Sequence, residues 1–133
     1  MEIREYTDFR LDEIIALYQD AGWTNYIERS YMLEKVYKNS LLVMGAYEND
    51  RLVGVIRAVG DGASVVLIQD IIVLREFQRR GIGTQLMNSV MQRYKDVYQM
   101  QLLTDNTEKT VAFYESLGFK AADKMGCMAF LRM

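Results

Sequence analysis

The chain has 133 residues, of which 50% are apolar and 26% charged, with a formal net charge of −2; this supports a single folded domain and excludes global disorder. It has one cysteine, Cys127, and no histidine, which excludes an internal disulfide, Ser-His-Asp and Cys-His catalysis, and zinc sites built from imidazoles or several thiolates, so no metal is expected. An acidic chain without a basic stripe also argues against nucleic acid as a partner, because phosphate neutralisation supplies most non-specific affinity.

The N-terminus, Met1-Glu2-Ile3-Arg4-Glu5, lacks the apolar core of a signal peptide, and with one free thiol the reducing cytoplasm is the expected compartment. A strand is expected over Ile3–Tyr6. Thr7 or Asp8 can cap a first helix with the stripe Leu11, Ile14, Ile15 and Tyr18, stopped at Gly22. Asn25 and Glu28 have capping-box spacing for a second helix with Ile27, Tyr31, Val36 and Tyr37 inward. Three strands follow, Leu41–Glu48, Arg51–Gly60 and Ser64–Leu74, separated by the turn pairs Asn49-Asp50 and Asp61-Gly62. The longest apolar run, Leu41–Tyr47, is far below the roughly 18 residues of a membrane span, so no membrane partner is expected. The third of these strands is apolar except for Gln69 and Asp70, which predicts burial of both faces.

A helix with the stripe Ile82, Leu86, Val90 and Tyr94 comes next, then a strand over Tyr98–Leu103. Asp105 and Glu108 have capping-box spacing for a helix through Leu117, with Gly118 as the left-handed residue after it and Phe119 folding back onto Phe113 or Tyr114. A final strand is expected over Met125–Arg132. The chain contains no proline, linker or repeat, so residues 1–133 read as one domain of α/β (α+β mixed) class: a mixed sheet with helices on its faces, in the order β-α-α-β-β-β-α-β-α-β.

The segment with most chemistry is Gln78-Arg79-Arg80-Gly81-Ile82-Gly83-Thr84, where a strand runs into a helix. The first turn of a helix leaves N–H groups unpartnered, the helix dipole adds positive charge, and glycines let an anion approach the main chain. Arg75, Arg79 and Arg80 against Glu76 make the junction locally positive. Taken alone, the glycines fit two readings: a phosphate or pyrophosphate site, or tight packing of helix on strand. A dinucleotide fingerprint fits less well, since Leu86 stands at the third glycine position.

Two segments carry a family resemblance. Val73-Leu74-Arg75-Glu76-Phe77-Gln78-Arg79-Arg80-Gly81-Ile82-Gly83 resembles the acetyl-CoA motif Gln/Arg-x-x-Gly-x-Gly/Ala of the GCN5-related N-acetyltransferase (GNAT) superfamily. Ala112-Phe113-Tyr114-Glu115-Ser116-Leu117-Gly118-Phe119 is similar to its second hallmark, Phe-Tyr-Glu-x-Leu-Gly-Phe. The element order agrees over nearly the whole chain, as in small, uncharacterised bacterial-type members. The resemblance implies a GNAT fold with a central, mostly antiparallel mixed sheet flanked by helices, acetyl-CoA (CoA) as cofactor, and acetyl transfer to a primary amine. It implies that main-chain amides of Arg79, Arg80, Gly81, Ile82, Gly83 and Thr84, with Gln78 at the motif's head, hold the pyrophosphate. Ile71, Ile72 and Val73 would offer main-chain groups to the thioester and pantetheine arm, in a cleft where their strand splays from the next. Tyr114 matches the tyrosine that protonates the departing thiolate. This chain departs from the family pattern at three places. Arg75 stands where proline is frequent. The pantetheine-side asparagine is replaced by Thr107, with Asn106 adjacent. The stretch Leu67–Gln69 holds no acid where some members have a glutamate base.

A phenol of pKa about 10 can donate to a thiolate without being ionised itself, which suits Tyr114 to its role. Asp70, the only acid in its apolar strand, is the candidate base, since burial raises a carboxyl pKa; an aspartate satisfied by backbone donors at a strand bulge fits the residues equally. Cys127 reads as a buried small hydrophobe, leaving direct transfer in a ternary complex. Trp23 and Tyr26, between the first two helices, either wall an acceptor site by cation–π contact or staple the helices together. The acceptor class is a small-molecule amine or a peptide N-terminus, and a homodimer is compatible with the edge strands. The alternative to an enzyme is an acetyl-CoA-binding sensor or interaction module with little turnover.

Overall fold

A computed structural model describes residues 1–133, which divide into two compact units, Met1–Leu102 and Leu103–Met133. The first unit holds a five-stranded sheet in the order β1-β2-β3-β4-β5: β1 (Glu2–Glu5), β2 (Leu42–Glu48), β3 (Arg51–Gly60), β4 (Val65–Val73) and β5 (Gln99–Leu102). The first three pairings are antiparallel, and β4 pairs with β5 in parallel. The helices α1 (Leu11–Ala21), α2 (Thr24–Glu28) and α3 (Leu33–Lys38) lie between β1 and β2, and α4 (Ile82–Arg93) forms the crossover from β4 to β5.

Local chemistry accounts for most boundaries. Asn49 and Asp50 both take positive φ (49° and 65°), as a two-residue hairpin turn requires, and Glu48 pairs with Arg51 across them. The next turn is organised by Asp61, whose Oδ1 accepts the N–H groups of Ala63, Ser64 and Val65. Gly22 ends α1 at φ +76°.

Helices cover both faces of the sheet, so Leu52 to Ala58 on β3 are all buried. α4 sets Ile82, Leu86, Met87 and Val90 on one face; α1 and α3 set Ile14, Leu17, Tyr18, Leu33 and Tyr37 on the other. Gly54 identifies the α4 face, since a Cβ there would meet the Leu86 side chain at 3.3 Å. Arg57, an odd number of residues along β3, points to the α1 face. Each Ile, Leu or Val so buried contributes about 1.5–3 kcal/mol.

Several expectations are corrected. The second helix breaks into α2, a 3-10 turn (Ser30–Met32) and α3, which leaves Tyr31 83% exposed rather than inward. Neither Thr7 nor Asp8 caps α1, and no side chain caps α1 or α2. In β4 only Val66, Ile68, Asp70 and Ile72 are buried; Val65, Leu67, Ile71 and Val73 are half-buried.

The second unit contains α5 (Glu108–Ser116) and a 3-10 turn over Ala122–Met125. The cap of α5 is Thr107, not Asp105. Asp105 Oδ1 accepts the Thr107 N–H and hydroxyl, and Thr107 Oγ1 in turn accepts the Thr110 N–H. At its other end Phe119 N–H bonds Tyr114 O and Gly118 N–H bonds Glu115 O, a Schellman closure with Gly118 at φ +95°. The final strand is absent. The 3-10 turn, closed by Gly126 at φ +77° and by Cys127 N–H to Ala122 O at 2.9 Å, occupies the stretch where it would begin. Cys127 is accordingly exposed, not buried in a strand.

Candidate functional site

The strand-to-helix junction of the first unit has the geometry of an anion cradle. Arg79 and Gly81 have positive φ (66° and 77°), whereas Arg80 between them does not. Such alternation turns successive N–H groups toward one concavity. No side chain caps α4, and its first bond runs from Gln85 N–H to Gly81 O at 3.0 Å. The N–H groups of Ile82, Gly83 and Thr84 therefore precede the helical ladder. A Cβ built on Gly81 would meet nothing within 4 Å, so the approach is open. Arg79 and Arg80 are exposed, and the Arg80 guanidinium lies 5.0 Å over the Phe77 ring.

Beside this cradle the sheet opens. The β4–β5 ladder covers only Val65–Ile68 against Gln99–Leu102, whereas β3–β4 pairing continues to Val73. Leu74 N–H donates to Val53 O on β3, so the preceding carbonyl, that of Val73, points to the opposite edge. By the two-residue period of a strand, the main-chain groups of Ile71 face that edge as well, and those of Ile72 face β3. Gln78 Nε2 donates to Val73 O at 3.0 Å, so its side chain secures the strand end rather than projecting into the junction.

Asp70, the residue before this free edge, is buried with three side-chain donors. Its Oδ2 accepts from Arg57 Nε at 2.7 Å and Tyr18 Oη at 3.1 Å, and its Oδ1 accepts from Tyr26 Oη at 3.2 Å. Tyr18 and Tyr37 share a 2.7 Å hydroxyl contact, and Arg57 Nη1 donates to Ser40 Oγ at 3.3 Å. A bulge is present here, Gln69 being the extra residue, but side chains supply the donors. Burial resists ionisation of Tyr18 and Tyr37 and pushes both phenols up. Burial works against the Arg57 cation, yet the Asp70 charge and hydrogen bond outweigh it and the net shift is upward. The cluster thus holds an ion pair among neutral phenols.

Over it lies an aromatic stack. Tyr26 sits on Tyr18 with centroids 4.7 Å apart and planes 19° apart, and Trp23 stacks on Tyr18 at 5.8 Å. Trp23 and Tyr26 are both half-buried, so their contacts serve the helix pair while part of each ring stays open.

In the second unit, Tyr114 is half-buried and packs edge-on between Phe113 (5.0 Å) and Phe119 (6.1 Å). Burial, then the Asp105 charge, raises its pKa, so the phenol is a protonated donor at neutral pH. Asn106 is exposed.

A family model for the acetyltransferase (GNAT) domain matches residues 5–133. The chain belongs to the GNAT acetyltransferase family. A GNAT family acetyltransferase from Streptococcus pneumoniae superposes with a TM-score of 0.90 at 41% identity, covering 99% of this chain and 96% of that one. An uncharacterized, ycf52-like N-acetyltransferase of Prochlorococcus marinus is 30% identical over 124 residues, 90% of this chain and 68% of that protein. The chain spans about two thirds of the length of such curated relatives, 61% for the ycf52 protein of Gracilaria tenuistipitata. PaiA N-acetyltransferase of Thermoplasma acidophilum, solved in complex with coenzyme A, shares the fold at 20% identity and TM-score 0.75, over 90% of this chain and 89% of that one.

Within this GNAT frame, sequence reasoning missed the partners of Asp70. A signal existed: Arg57 and Asp70 are the lone charges inside two consecutive apolar strands, at comparable distances from the Asp61–Ser64 turn, which sets them opposite each other.

Proposed function

We propose that residues 1–133 act as one N-acetyltransferase domain that moves an acetyl group from acetyl-CoA to a primary amine by direct transfer in a ternary complex. The observation that carries this reading is the cradle at Arg79–Thr84: uncapped helical N–H groups, alternating backbone hand and open space at Gly81 fit a diphosphate. The edge offered by the Ile71 main-chain groups and the Val73 N–H suits the amide groups of a pantetheine arm, which would add to the sheet as a short strand does.

When bound, acetyl-CoA supplies the activated acetyl group. Ile82, Gly83 and Thr84 bind its diphosphate through main-chain N–H groups, with Arg79 and Arg80 beside them. Tyr114, assigned by its place in the second motif, donates a proton to the departing sulfur; its raised pKa supports that role. Trp23 and Tyr26 wall the acceptor, an amine or a peptide N-terminus. Both carboxylate oxygens of Asp70 are committed to one guanidinium and two phenols, so we assign it to holding Tyr26 and Tyr18 in place instead of acting as the base. The amine then binds in its neutral form or loses its proton to water.

The same commitment of Asp70 favours a second reading, a CoA-binding module without turnover. Release of free thiol from acetyl-CoA, measured against a panel of amines, separates them: turnover with any amine supports the enzyme, and binding without turnover supports the module. Acetyl-CoA at 100 times its dissociation constant raises stability by about 2.7 kcal/mol under either reading; no thermal shift overturns both.

A further inference from the structure

Asp20 lies in the last turn of α1, where no basic residue stands and where negative charge opposes the helix dipole. Its carboxylate is used elsewhere: Oδ2 accepts the main-chain N–H of Arg75 at 2.8 Å, 55 residues away. Arg75 opens the 3-10 turn, Arg75–Phe77, that leads from β4 into the cradle. Its N–H is the kind of donor that the first turn of a helix leaves without a partner. The segment's other ties are within itself or to β3, where Arg51 Nη2 pairs with Glu76 Oε1 at 2.9 Å. Phe77 N–H bonds Leu74 O at 2.9 Å, Gln78 N–H bonds Arg75 O at 3.2 Å, and Leu74 N–H bonds Val53 O at 2.9 Å on the neighbouring strand. Only the bond to Asp20 reaches α1.

We propose that Asp20 is a positioning residue for cofactor binding: by holding the Arg75 N–H it fixes the angle at which the chain leaves β4, and with it the direction in which Arg79–Thr84 present their N–H groups. This rests on the cradle's assignment to a diphosphate.

Proline at position 75 gives a way to test the mechanism apart from the fold. Leu74, at ψ 139°, lies outside the helical region that a following proline disfavours. Position 75 is the first of its turn, where proline's fixed φ fits and its missing N–H is tolerated. Arg75→Pro thus removes the donor to Asp20 while supplying backbone constraint directly.

CoA affinity is measured by titration calorimetry well below the unfolding midpoint of each variant. Asp20→Ala is expected to weaken binding roughly tenfold, the scale of a hydrogen bond to a charged group. Asp20→Asn, which keeps an acceptor oxygen, stays within about threefold of the parent. In the Arg75→Pro background, Asp20→Ala changes nothing further. Equal affinity for the parent and Asp20→Ala overturns the proposal, as does a loss that persists undiminished beside proline. A parent protein that fails to bind CoA overturns the diphosphate assignment itself, and this inference with it.

Discussion

Arg57 on β3 and Asp70 on β4 stand opposite each other in the antiparallel ladder, joined by a 2.7 Å ion pair whose side chains are 7% and 2% exposed. Removing two charges from water costs several kcal/mol per ion, and here the return comes from the pair together with hydroxyls of Tyr18, Tyr26 and Ser40. Truncating one partner strands the other. Asp70→Ala should therefore lower unfolding stability by about 3–5 kcal/mol, and an apolar double replacement, Arg57→Met with Asp70→Leu, should recover most of it. Urea unfolding of the three proteins checks this; equal stability of the parent and Asp70→Ala would show that the pair is not a structural unit.

Tyr114→Phe keeps the ring against Phe113 and Phe119 and removes only the hydroxyl. The turnover rate should fall about 10²-fold, the low end of what a positioned acid contributes, with the KM for acetyl-CoA within about twofold of the parent. Burial and Asp105 hold this phenol above its ordinary pKa. The donor therefore stays protonated as pH rises, and no alkaline loss of rate attributable to it is expected below pH of about 10. A thiol-release assay across pH reads both outcomes.

At the cradle, backbone conformation and charge are separable. Gly81→Ala meets no neighbour but forces an L-residue to φ +77°, at about 1–2 kcal/mol. Its thermal midpoint should drop, and its CoA affinity less. Gly83→Glu places a carboxylate in the first helical turn, which suits the dipole and repels a diphosphate. It should fold normally and lose CoA binding in calorimetry; retained affinity would count against the cradle as the binding site.

Asp61 gives the acid dependence of stability. Hydrogen bonds from the Ser64 hydroxyl and the N–H groups of Ala63, Val65 and Ser64 hold its carboxyl well below the ordinary carboxylate range. A depressed folded-state pKa contributes stability above the unfolded value of about 3.9 and loses it as pH falls through the folded value. Asp61→Asn should accordingly lower the thermal midpoint at neutral pH and narrow its gap to the parent as the pH drops below about 4. A gap that is constant with pH would assign the effect to turn geometry instead of charge.

What could be read from the residues was mostly local or repeated. The Asn49-Asp50 turn, the stop at Gly22 and the closure of α5 at Gly118 each depend on a few adjacent residues, and each appears as expected. Cap choice was harder, because acceptors two residues apart compete: Asp105 is spent on Thr107, which leaves Thr107 as the cap. The Met125–Arg132 strand needed a partner strand, which no local pattern supplies. Of the site, the cradle was legible in its glycines and arginines. The donors to Asp70 come from α1, α2 and β3, and the tie from Asp20 to Arg75 spans most of the first unit.

The extra residue Gln69 changes which layer β4 addresses. Ile68 stands opposite Ala58, and Asp70 opposite Arg57. Adjacent residues on β3 point to opposite layers, so the inward side chains of β4 are handed from the α4 layer to the α1 layer at this point. Almost any amino acid is tolerable at so exposed and unpaired a position, and so is its loss. Deleting Gln69 would restore simple alternation against β3 and leave both pairs, Ile68 with Ala58 and Asp70 with Arg57, in their present layers. The carboxylate would keep its arginine, and the position would tolerate both substitution and the loss of this single residue.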